Sequence, residues 1–140
     1  MPKFSFRLES VRRYRVSLES IAKDNYRDAQ RRVFECEQDI KSIYSKIDHI
    51  LAEPALSIPD RLALEGRIAR QEDQIQHQVI ILQVLQSDET EALVAWVEAK
   101  KELEILEKLR ENRRAEWLLD ENRLEQAALD EWAVTRRKPA

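Results

Sequence analysis

The sequence predicts an all-α protein, a long antiparallel two-helix coiled-coil hairpin in which helix two is longer than helix one. Three observations carry that expectation. Charged residues make up 36% of the 140 residues and glycine occurs once, whereas compact domains average about a quarter charged and about 7% glycine. The prolines fall at the two ends, Pro2 and Pro139, and around one short stretch, Pro54 and Pro59. Apolar residues recur three and four apart, the a/d rhythm of a coiled-coil seam. Such a chain has little material for a thick core, and a narrow seam between helices takes its place.

Helix one is expected over about 5–52. Proline has no N–H and clashes with the preceding turn, and the residue before it is pushed out of the α region, so Glu53-Pro54 should end the helix. Val33, Cys36, Ile40, Ile43, Ile47 and Ile50 keep the seam rhythm. Leu8, Val11, Leu18, Ala22 and Ala29 keep it in another phase, which predicts a stutter near Asn25–Val33 that locally unwinds the supercoil.

The turn is expected over 53–58. Ser57, with Pro59 and then Asp60, reads as an N-terminal cap for the helix that follows. A connection this short makes the two helices antiparallel neighbours. The whole of 1–140 then reads as a single coiled-coil domain.

Helix two is expected over about 59–136. Its a positions run Ile68, Ile75, Leu82, Glu89, Trp96, Leu103, Arg110, Trp117 and Leu124; its d positions run from Leu64 through Gln71, Gln78, Leu85, Ala92, Ala99 and Leu106 to Arg113, Asp120 and Ala127. At about 1.5 Å per residue, helix one would span about 70 Å and helix two about 115 Å. Folding the chain about the middle of the loop places residue i opposite roughly 111 − i, so helix one should be exhausted near Lys108. Beyond that point Trp117, Leu118, Leu119, Leu124, Leu129 and Trp132 have no expected partner within the chain. Unpaired apolar side chains of this size mark contact surfaces, and Trp is enriched at binding hot spots.

Charge is unevenly spread. Residues 3–15 carry Lys3, Arg7, Arg12, Arg13 and Arg15 against Glu9, and 136–138 add Arg136, Arg137 and Lys138. Residues 88–107 carry seven acids against Lys100 and Lys101. The formal net charge of −3 is no match for nucleic acid, and the aromatic residues fall on helical apolar positions rather than on a stacking platform. An acidic protein surface is the expected counterpart of the basic end, with no nucleic acid.

Catalysis and metal binding find no support in the residues. His49 and His77 stand apart, neither at metal-ligand spacing with Cys36 or with each other. With Gly66 as the only glycine no phosphate loop can form, and two helices make a poor concave site. We therefore expect no enzyme, no cofactor and no metal. Cys36 is expected to be a small buried hydrophobe, its solitude fitting a reducing, cytoplasmic setting. No apolar run is long enough to span a membrane.

Particular segments resemble a known family. The opening Lys3-Phe4-Ser5-Phe6-Arg7-Leu8-Glu9-Ser10-Val11 is similar to the start of FliJ proteins of the flagellar type III export apparatus. So is the KELEILEKLRENRR stretch at 101–114, and so is the close, Glu121 to Gln126 followed by Leu129-Asp130-Glu131-Trp132-Ala133. The middle matches only as generic heptads. The resemblance implies an antiparallel coiled-coil stalk that inserts its terminal end into the hexameric export ATPase and promotes its assembly. It also implies a link to the membrane-embedded export gate and an escort role for empty export chaperones. The stalk would be monomeric alone, cytoplasmic and peripherally associated with the membrane at the export apparatus. Carried onto this sequence, segments 4–13 and 109–132 would face the ATPase: Trp117, Leu118, Leu124 and Trp132 would supply packing against it and Arg12, Arg13 and Arg123 steering and register, with Phe4, Phe6 and Arg7 also among the partner-binding residues of that end. The other half, around 43–51 and 62–79, would face the gate. The alternatives left open are the injectisome counterpart of the same stalk, a plain structural coiled-coil scaffold that dimerises through the unpaired overhang of helix two, and a basic-helix nucleic-acid binder.

Overall fold

The computed structural model describes residues 3–137. Two helices, α1 (Glu9–Leu51) and α2 (Ile58–Arg137), pack against each other as a hairpin, and α2 is the longer. Pro2, Lys138 and Pro139, singled out in the sequence, lie outside the described residues.

Each helix end has a physical cause. At the start of α1 the Glu9 N–H donates to the Phe6 carbonyl at 3.1 Å and the Arg12 N–H to the Leu8 carbonyl at 2.8 Å, which makes Leu8 the capping residue. Glu9 stands in the first turn, where a carboxylate meets the positive end of the helix dipole. Helix one thus starts later than about residue 5, because the chain at Phe6 turns instead of continuing as a helix. At the far end the Glu53 N–H tightens onto the Ile50 carbonyl at 3.2 Å, and Pro54 cannot extend the ladder. The Ser57 hydroxyl accepts the Asp60 N–H at 3.3 Å while its carbonyl accepts the Arg61 N–H at 3.1 Å, the N-cap expected from the sequence.

The contacts divide the chain into two compact units, Ser20–Val97 and Met1–Glu19 with Glu98–Ala140. In Ser20–Val97 the seam is mostly apolar, with Gln71, Gln78 and Glu89 half-buried at polar positions in it. Val33, Cys36, Ile43 and Ile50 of α1 and Ile75 of α2 are its buried side chains, flanked by half-buried neighbours at every seam position. The Cys36 thiol lies 3.6 Å from both the carbonyl and the side-chain oxygen of Gln78. The Tyr26 and Trp96 rings stack at 5.6 Å. In the other unit the seam positions of α1 are charged, and that unit holds the candidate site.

Two expectations need correction. No stutter interrupts α1: Arg12, Arg15, Glu19, Ala22, Tyr26, Ala29, Val33, Cys36, Ile40, Ile43, Ile47 and Ile50 keep alternating spacings of three and four, and all are buried or half-buried. Leu8 and Val11, which suggested the phase change, are exposed. The long stems of Arg12 and Arg15 can lie along an apolar surface and carry their charge to its edge, so polar residues hold the register where apolar ones were sought. The pairing offset also differs. Facing residue numbers add to 114 for Cys36 and Gln78, 119 for Arg12 and Glu107 and 121 for Phe4 and Trp117, not to 111. At Cys36 the cause lies at the turn, since α1 stays in the seam to Ile50 while the first residue of α2 to enter it is Leu64; the larger values belong to long side chains reaching across and to Phe4, which lies outside α1. Ile58 and Leu62 stand exposed outside the seam. In α2 the expected register persists through Arg110, after which Arg113, Asp120, Leu124 and Ala127 are exposed.

Candidate functional site

The site is built within the unit formed by the N-terminal residues and α2 from Glu98 onward. Its root is an ionic clip. The Arg12 guanidinium donates to both carboxylate oxygens of Glu9, at 3.0 and 2.7 Å, and across the helices to Glu107 at 3.0 Å. Arg110 approaches Glu9 from α2 at 3.7 Å, too long for a hydrogen bond but close enough for attraction. Arg15 pairs with Glu102 on the next turn. The Arg12 hydrogen bond holds the Glu9 carboxyl below the usual carboxylate range, against a smaller upward push from burial, and the nearby Arg12, Arg110 and Arg13 charges add to the lowering. Glu9 and then Glu107 hold Arg12 firmly protonated.

Above the clip, the chain before Glu9 lies against α2 as a short strap. Phe4 and Phe6 are half-buried, and the Phe4 ring meets Trp117 at 6.0 Å and a tilt of 54°, an arrangement favourable for aromatic pairs. Trp117 therefore has an intramolecular partner, contrary to the expectation from the sequence. Between strap and helix runs a cleft of about 530 Å³, walled by Phe4, Phe6, Leu8, Leu109 and Trp117 and rimmed by Arg7, Arg113, Glu116 and Asp120.

Beyond Trp117 the hydrogen bonds, ion pairs and ring contacts of the described residues stay within α2. Arg123 faces Asp120 at 3.9 Å, Gln126 donates to Asp130 at 3.2 Å, and the Arg136 guanidinium sits 4.6 Å above the Trp132 ring. Leu118, Leu119, Leu124, Leu129, Trp132 and Val134 are exposed, Leu124 to 64%. Of the site residues expected from the sequence, the fold gathers Phe4, Phe6, Arg7 and Trp117 around the cleft. It engages Arg12 in the clip, leaving that side chain only 20% exposed, and it leaves Arg13, Leu118, Arg123, Leu124 and Trp132 open to solvent. Sequence reasoning missed Glu9, Glu102 and Glu107 as partners of the arginines. The signal was present as opposite charge in 3–15 and 88–107, and the wrong offset hid which residues meet.

Among the described residues no cluster of His, Cys, Asp or Glu could hold a metal ion, and no helix is long and apolar enough to cross a membrane. No curated protein and no solved structure matches the chain. The family model described as flagellar FliJ protein does match, over residues 4–137. That span takes in the strap, the clip, the whole hairpin and the exposed end of α2, so the chain belongs to the flagellar FliJ protein family.

Proposed function

We propose that the chain is a coiled-coil stalk whose terminal residues bind the hexameric export ATPase and promote its assembly and activity. Membership of the FliJ family makes it a non-enzymatic component of flagellar protein export. The observation that carries the first is the stretch of α2 beyond Trp117. It sets Leu118, Leu124, Leu129 and Trp132 in solvent beside Arg123 and Arg136. Apolar anchors with arginines around them are the composition of an interface core and rim. Arg12 is engaged internally, so steering falls to Arg7, Arg13 and Arg123.

The hairpin tip supports the second assignment, to the membrane-embedded export gate. Leu51, Leu56, Ile58 and Leu62 cluster there in sequence and all are exposed, Leu56 to 90%. Export chaperones complete the partner set, and the chain reaches the membrane only through these proteins.

The test is removal of residues 121–140, followed by measurement of ATPase hexamer formation and ATP turnover. Loss of stimulation, with the remaining helices intact by circular dichroism, is expected. Full stimulation by the shortened chain would sink the reading. A plain structural scaffold predicts instead a dimer in sedimentation that the same truncation converts to monomer.

A further inference from the structure

The cleft between the strap and α2 has walls and a charge that the exposed helix end does not share. Phe4, Leu8, Leu109 and Trp117 make its sides apolar, and about 530 Å³ is ample for one or two large side chains. Its rim is not electrically neutral in effect. The acids there are already matched, Glu116 by Arg113 at 3.7 Å and Asp120 by Arg123 at 3.9 Å. Arg7 lines the same cleft, is exposed, and has no ion-pair partner among the described residues. The strap is fixed at its root by the Glu9 N–H to Phe6 carbonyl bond and held against α2 farther out by the Phe4–Trp117 ring contact.

We infer that this cleft is a docking slot for a partner segment presenting an aliphatic or aromatic side chain next to a carboxylate. The side chain enters the cleft beside the Phe4–Trp117 ring pair, displacing water from apolar walls, while the carboxylate pairs with Arg7 in a charge-assisted, two-pronged contact. An arginine on an aromatic-walled slot selects an acidic-apolar segment over a basic-apolar one of equal size, because the wrong charge meets like charge at the rim. The inference rests on the proposed ATPase-binding role for the identity of the partner, but the slot has its own readout.

The first measurement uses the full-length, ¹⁵N-labelled chain and two short peptides with the same Leu and Phe, one flanked by Asp and Glu, the other by Lys. The indole resonance of Trp117, identified by its loss in Trp117→Phe, reports occupancy. The acidic peptide is expected to shift it saturably, with the basic peptide at least tenfold weaker. Ser5→Trp, at an exposed lining position outside both helices, should fill the slot and abolish the shift without changing helicity, and Arg7→Glu should reverse the preference. Equal response to both peptides, no response to either, or undiminished binding by Ser5→Trp would overturn the slot. The second measurement is affinity for the export ATPase, expected to fall at least tenfold in Ser5→Trp and in Arg7→Glu. If the peptides behave as expected but the wild-type chain ignores the ATPase, the slot stands and the ATPase reading falls. If the wild-type chain binds the ATPase and both variants bind equally well, the slot is overturned and the ATPase reading stands.

Discussion

Arg12 and Glu107 meet across the two helices at 3.0 Å, and the same guanidinium holds Glu9 on its own helix. Arg12 occupies a seam position that a coiled coil ordinarily gives to an aliphatic side chain. Removing its charge while keeping its bulk, as in Arg12→Met, should open this part of the hairpin locally. Amide exchange over 9–16 and 102–110 should accelerate while that over 33–50 is unchanged. Uniform acceleration along both helices would mean that the clip serves no local purpose.

Acid should act at the same place. Glu9 has a folded-state pKa below its ordinary value, so the unfolded chain takes up the proton first. Its contribution is complete above the ordinary carboxylate range and is lost as pH falls through the folded pKa. Protection from exchange at 9–16, taken relative to the unstructured chain at the same pH, should therefore be lost in acid before protection at 33–50 is. Concentrated salt should have the same order of effect, because exposed ion pairs are screened and apolar contacts are not.

Ile43 tests the apolar part. It is buried in the seam, and Ile43→Ala should lower unfolding free energy in urea by about 2–4 kcal/mol. Leu56→Ala, at a side chain exposed to 90%, should change it by less than about 0.5 kcal/mol. The tip variant is the one expected to weaken contact with the export gate.

Cys36 offers a chemical probe of the seam. Burial pushes its thiol pKa up, with Asp39 and Glu37 adding to the rise, and only the thiolate is nucleophilic. Alkylation should be far slower than for a free cysteine at mildly alkaline pH, and urea should restore it in step with the loss of helicity. Rapid labelling of the native chain would contradict a closed seam.

The legible features were those written as period and punctuation. Leu64 through Arg110 could be placed on the inner face of α2 because an unbroken heptad admits one register, and the ends near Leu51 and Ile58 follow from Pro54 and the Ser57 cap. The strap was not legible. Phe4, Phe6 and Leu8 alternate in a way that a helix with a fraying start could also supply, and only the tertiary contact with Trp117 decides. The seam positions Arg12 and Arg15 were hidden for a related reason: hydrophobicity marks a buried position only where burial is apolar. The charged partners could be found only with the offset in hand, and the offset depends on where α2 enters the seam, which loop length does not reveal.

The change of seam chemistry along α1, from Val33 and Ile43 to Arg12 and Arg15, has a thermal consequence. Apolar association weakens on cooling because its driving force near room temperature is entropic, whereas charged groups are costlier to desolvate in the cold than in the heat. Both therefore favour warmth, but through different terms: solvent entropy around Val33 to Ile50, and ion hydration at the clip. A temperature series of residue-resolved exchange should show two slopes in one short protein, with urea flattening the first and salt the second.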